Sequence, residues 1–194
     1  MDRDVGRARR ELVRGLQLAY SGERGAVRAY LGHRASLPHG RHREALCTIL
    51  KDEIRHRRVL LRMLKELGSA PDRVAERKLT HVGNAIALFC RVGGRFFPMY
   101  GAARLEADNI VEYEIAVRLA WVAGRPEFTE SLLHLAEVEW DHEATLRAFA
   151  ASHALWRWMP KWPVPAPRAS IRERFDAFVR APTEVRRRWS ALVR

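Results

Sequence analysis

Two copies of one short pattern carry most of the chemistry this sequence could do. Glu53-Ile54-Arg55-His56 and Glu139-Trp140-Asp141-His142 each set a carboxylate three residues before an imidazole. On a helix, positions i and i+3 project from the same face, so both groups of a pair can reach one metal ion. Each pair interrupts an apolar stripe: Glu53 falls between Ile49 and Leu60, and Glu139 between Leu135 and Leu146. Burying such groups without a partner costs on the order of several kcal/mol each. Two more carboxylates break apolar stripes without a histidine. Glu23 lies among Tyr20, Val27 and Tyr30, and Glu106 shares a stripe with Ile110, Tyr113, Val117 and Trp121. One Glu from each of two helices, with one Glu-x-x-His from each of two others, is the ligand set of a carboxylate-bridged dinuclear centre inside a four-helix bundle. Mixed carboxylate–imidazole ligation suits iron, with manganese as the alternative, better than a thiolate zinc site.

The expected metal ligands are therefore Glu23, Glu53, His56, Glu106, Glu139 and His142. Glu112 competes with Glu106. Folding the chain back at Arg125 sets Glu112 level with Glu139, whereas Glu106 is offset by roughly 9 Å at 1.5 Å per residue. The apolar stripe favours Glu106. Glu53 or Glu139, together with one of the two lone carboxylates, is expected to bridge the metals, with His56 and His142 capping one each. Tyr30 and Tyr113 each follow a ligand Glu by seven residues, two turns along the same face. They can donate hydrogen bonds to ligand carboxylates, or serve as core aromatics satisfied elsewhere.

The elements that must position these groups read as helices throughout. Apolar periodicity predicts a first helix over Asp4 to Leu31, and a second from His42 to Leu67 stopped by Gly68. A shorter helix covers Leu79 to Val92 and ends at Gly93-Gly94. Pro98 opens a long helix to Ala123, and the last bundle helix runs from Pro126 to Ser152 after the turn at Gly124-Arg125-Pro126. The fold class is all-α: an antiparallel four-helix bundle with one extra short helix. Residues 1–155 form the bundle. Residues 156–194 form a strap containing Pro160, Pro163, Pro165 and Pro167, then two short amphipathic helices over Ile171 to Arg180 and Thr183 to Val193.

Composition bounds the function. Of 194 residues, 47% are hydrophobic, which excludes a mainly disordered chain. The longest uncharged apolar stretch, Val82 to Cys90, is too short to span a bilayer. Arg3, Arg7, Arg9 and Arg10 precede no apolar segment, so no secretory signal is expected. Cys47 and Cys90 are expected as free thiols in a reducing cytoplasm. The net charge of +12 favours an anionic partner. With no recognised nucleic-acid motif, the expectation is peripheral contact with the inner membrane face through the tail, whose ten Arg/Lys and three Asp/Glu from residue 157 onward make it about +7; the competing account is that the tail's apolar residues fold back and cap the bundle. Gly93-Gly94 lacks the partners of a phosphate loop. His33, His39 and His42 are read as a solvated loop cluster.

Glu23-Arg-Gly-Ala-Val-Arg-Ala-Tyr30 resembles the first-helix signature of the demethoxyubiquinone hydroxylase family, Glu-x-Gly-Ala-x-Arg-x-Tyr. The step from Glu23 to Glu53, Glu106 with Tyr113, and Glu139-x-x-His142 are similar to that family's remaining landmarks. The likeness covers about residues 10–150 and selects Glu106 over Glu112. It implies a ferritin-like fold, two iron ions, and an O₂-dependent monooxygenase that hydroxylates a ring in quinone biosynthesis. Three departures suit a divergent branch: Glu112 where the family tends to carry histidine, a shorter turn at Gly124, and Phe96-Phe97-Pro98-Met99-Tyr100 in place of a smoother apolar helix. The resulting expectation is an oxidoreductase taking O₂ and a small apolar, quinone-type substrate, with a homo-oligomer left open. The alternative is a non-catalytic ferritin-like metal-binding or stress-related protein. An apolar channel reaching the metals from the Leu79–Tyr100 side would favour the enzyme, and a closed or solvent-only approach the alternative.

Overall fold

The computed structural model describes residues 2–186, and all of their regular secondary structure is helical. Four long helices, α1 (Asp2–Ser36), α2 (Arg41–Glu66), α4 (Phe96–Val122) and α5 (Thr129–Ala151), surround a common axis. Their polarity follows from cross-contacts. Tyr30 meets Glu106 and Tyr113 meets Glu23, so α1 and α4 run antiparallel. Arg57 donates to the Tyr20 carbonyl and Arg9 to that of Leu67, which makes α1 and α2 antiparallel too. The α4–α5 hairpin turns at Gly124, whose φ of 71° closes α4, and continues through a single 3₁₀ turn at Pro126–Phe128.

The helix α3 (Arg73–Phe89) begins six residues before the expected Leu79. Its first turns, Arg73-Val74-Ala75-Glu76-Arg77-Lys78, hold too few apolar residues to show a period. Asp72 caps it instead, accepting from the Val74 and Ala75 amides at 2.8 and 3.1 Å. Glu76 then ties that turn to Arg24 of α1 and Arg57 of α2, at 2.9 and 2.8 Å. Farther along, α3 lies parallel to α1 at very close range. A Cβ on Gly83 would collide with the Gly25 carbonyl, and one on Gly32 with Ala87. Glycine here provides the close backbone approach.

The helix α6 (Ser170–Arg180) lies on α4 and α5. Ile171 and Phe175 are buried in the bundle core, and Phe175 meets Trp121 edge-on at 6.0 Å. Of the two readings of the tail, α6 follows the second: its apolar face folds back on the bundle and is not free for a membrane. The remainder of the second tail helix, with Arg187, Arg188 and Trp189, lies outside the described residues.

Two apolar clusters fill the bundle. One gathers Leu12, Leu16, Leu60, Leu64, Tyr113, Val117 and Leu132, and the other Tyr30, Leu46, Ile49, Phe96, Met99 and Leu146. Between them lies a polar layer.

Candidate metal centre

The polar layer contains Glu23, Glu53, His56, Glu106, Glu139 and His142, each at most 4% exposed. The antiparallel ring of α1, α2, α5 and α4 brings all six together. They form two overlapping groups whose candidate ligand atoms lie within 4.8 Å of one another: Glu23, Glu53, His56 and Glu139, and Glu53, Glu106, Glu139 and His142. Glu53 and Glu139 belong to both. The shared carboxylates are thus those of the two Glu-x-x-His helices, not one of them with a lone Glu as the sequence suggested. The reason is that α2 and α5 face each other antiparallel, so each carboxylate lies between both imidazoles. His56 Nδ1 is 3.0 Å from Glu139 Oε1 and 3.6 Å from Glu53 Oε2. His142 Nδ1 is 3.3 Å from Glu53 Oε1 and 3.4 Å from Glu139 Oε2.

Glu112 is exposed and outside both groups. Six residues of helix turn it about 120° away from the Glu106 face. Side-chain reach absorbs an axial offset more easily than a wrong azimuth.

The lone carboxylates are held by a crossed pair of tyrosines. Tyr30 donates to Glu106, and Tyr113 donates to Glu23. Each tyrosine serves the Glu of the other helix, because antiparallel packing sets a residue seven positions on level with its partner's ligand. Asn109 completes Glu106, donating to Oε2 at 2.7 Å. On the far side, Asp52 Oδ2 lies 3.5 Å from His142 Nε2, where it favours an Nε2–H tautomer that turns Nδ1 toward the carboxylates. Sequence reasoning passed over Asp52 and Asn109. The signal for Asp52 was its place beside Glu53; Val138 occupies the matching place before Glu139, so the two halves differ here.

The charges are arranged to be neutralised. Burial and repulsion from Glu53 push the Glu23 carboxyl well above its usual range, and burial with Glu139 and Glu53 does the same to Glu106. Burial also pushes Glu53 and Glu139 upward, but contacts with the two imidazoles, and with Glu23 for Glu53, outweigh it and hold both low. His142, despite burial, is pushed up to about 11 by Glu139 and Glu53, and His56 is raised likewise. Seven buried atoms facing this volume have no hydrogen-bond partner: Glu23 Oε2, both oxygens of Glu53 and of Glu139, and Nδ1 of His56 and His142. Unsatisfied atoms of this kind are costly in a dry core. Four carboxylates and two imidazoles whose candidate ligand atoms converge in this way fit, once deprotonated, a pair of divalent cations, and the geometry leaves the metal's identity open.

A cavity of about 530 Å³ runs between α1, α3 and α4 and reaches this layer. Its wall includes Leu79, Val82, Ile86, Phe89, Phe97 and Leu105, and its floor exposes Glu23, Glu106, Tyr30 and Tyr113. No family model, curated protein or solved structure matches the chain.

Proposed function

We propose that the chain is a ferritin-like di-iron hydroxylase acting on an apolar, quinone-type molecule. One observation carries the reading beyond metal binding. The cavity enters from the Leu79–Tyr100 side, is walled almost wholly by apolar groups, and carries two candidate ligand carboxylates on its floor. A metal store or detoxifying centre would be served by a polar path for ions. A long apolar trough suits a lipid-like substrate.

Glu23, Glu53, His56 and Glu139 would hold one iron, and Glu53, Glu106, Glu139 and His142 the other. When bound, such a pair supplies the reduction of O₂ and delivery of one oxygen atom to the ring, the second leaving as water at the expense of a two-electron donor. The protein's own part is positional. Tyr30 and Tyr113 fix the carboxylates that face the cavity, and their phenols stay protonated because burial and nearby carboxylates push them well above their usual range. The apolar layers on either side exclude water from the ligands.

Lipid-like substrates reside in bilayers, and the cavity's surroundings fit such an approach. Leu88, Phe89, Val92 and Phe97 are exposed around the α3–α4 corner beside the exposed Arg91 and Arg95. This corner replaces α6 as the surface for peripheral contact. No described helix is long and apolar enough to cross a membrane.

The test is single-turnover reaction of iron-loaded, reduced protein with ¹⁸O₂ and a decyl-tailed hydroquinone. One ¹⁸O atom in the ring product is the expected result. Oxygen consumed without product, with ferric iron accumulating, would instead establish the non-catalytic alternative.

A further inference from the structure

The cavity follows α1 from Leu18 to His33, roughly 22 Å of helix at 1.5 Å per residue. Glu23 and Glu106 lie partway along it. His33 marks the far end, one helical turn beyond Tyr30 and together with Cys90 and Phe97. The ring was expected in solvent, yet it is only 2% exposed. Its Nε2 is buried and has no hydrogen-bond partner. Among the described residues of the wall, Glu106 takes Tyr30 and Asn109, Glu23 takes Tyr113 through Oε1 and leaves Oε2 to the carboxylate cluster, and Glu112 is exposed. Among the described residues, His33 is the one buried imidazole that lines this cavity; His56 and His142 belong to the carboxylate cluster. His33 lines this apolar trough and its ring carries a buried nitrogen without a partner, so a small turn of the ring can bring that nitrogen to a ligand atom and complete a hydrogen bond.

We propose that His33 recognises a hydroxyl or carbonyl oxygen on the ring of an otherwise apolar ligand, and so fixes which ring edge faces Glu23 and Glu106. A neutral imidazole can donate to a carbonyl or accept from a hydroxyl, according to its tautomer. Burial, with help from nearby His42, lowers the His33 pKa to about 4, so the ring is neutral at neutral pH. His33 is thus a positioning residue. The inference deepens the hydroxylase reading, and its test uses binding alone, so that the two can fail separately.

The probes are 1-naphthol and naphthalene, which differ by one hydroxyl. Binding to metal-free full-length protein is measured by calorimetry for the native chain, His33→Leu and His33→Gln. Apolar partition by itself favours naphthalene. The native chain is expected to prefer 1-naphthol by about tenfold, the net worth of one neutral hydrogen bond. His33→Leu should lose that preference while binding naphthalene as before, and His33→Gln should retain part of it. In the native protein, ¹⁵N resonances of the His33 ring should shift with 1-naphthol and not with naphthalene, which needs no variant to fold. A preference that survives in His33→Leu, or ring resonances that ignore 1-naphthol, would overturn the proposal even if ring hydroxylation is observed.

Discussion

Glu53 and Glu139 differ from Glu23 and Glu106 in what each can lose. The first two belong to both ligand groups, whereas each of the others belongs to one. Glu53→Ala should therefore abolish loading at both positions, while Glu106→Ala should leave about one ion per chain, read by elemental analysis. Equal losses in the two variants would contradict the sharing. Loading should also release protons. Glu23 and Glu106 are pushed toward the neutral acid and both imidazoles toward the cation. Two divalent cations must displace about four protons from these groups, so apparent affinity should rise with pH. An indicator titration in weak buffer measures the release. His33 behaves oppositely to the ligand histidines. Its folded pKa of about 4 lies below the unfolded value of about 6.5. Between these values the unfolded chain binds the extra proton, so stability falls as pH drops through this window, by about 3 kcal/mol in all. Urea midpoints from pH 7 to 4 should show a shallower decline in His33→Leu.

At the scale of elements, the α1–α3 contact shapes the cavity. Its closeness depends on Gly25, Gly32 and Gly83, where an added Cβ meets backbone; one on Gly25, for example, would lie 2.9 Å from the Leu79 carbonyl oxygen. Gly83→Ala should force α3 away from α1 at a cost of roughly 1–3 kcal/mol, despite alanine's better helix propensity. Gly15→Ala is the contrasting case. Gly15 is exposed on the same α1, with nothing within 4 Å of an added Cβ, so this change should stabilise by about 0.5–1 kcal/mol. Opposite shifts in melting temperature are expected, and a stabilised Gly83→Ala would show that α3 does not depend on close approach. None of this was legible beforehand. A glycine in a helix reads as a propensity defect until the facing helix is known.

At the scale of the whole molecule, α6 is part of the bundle and not a free basic tail. Arg172 pairs with Glu130 and Glu137, and Arg174 with Glu114, so α6 is clamped across α5 and α4 as well as packed through Ile171 and Phe175. Deleting residues 168–194 should lower the melting temperature. Adsorption to anionic vesicles should instead follow the α3–α4 corner. Val92, 83% exposed, and Phe97 changed to aspartate should release the protein, and salt should weaken binding of the native chain. Vesicle binding unaffected by those substitutions would rule the corner out. Metal binding to the folded state alone should raise the melting temperature by linkage, with Glu53→Ala as the insensitive control.

What the residues determined by themselves was the helical class and the set of polar groups out of place. Helical period and side-chain chemistry are local, so Glu23, both Glu-x-x-His pairs and Glu106 could be singled out along the chain, with Tyr30 and Tyr113 beside them. What waited for the tertiary structure was every relation between helices. Sharing of Glu53 and Glu139, the crossing of the tyrosine bonds, the burial of His33 and the occupied face of α6 each depend on azimuth and level between segments far apart in sequence. Periodicity fixes which face of a helix is apolar, but not which neighbour covers it. His33 shows the difference most plainly: it adjoins a polar turn in the sequence and looks solvated, yet it is buried and lines the cavity between α1, α3 and α4.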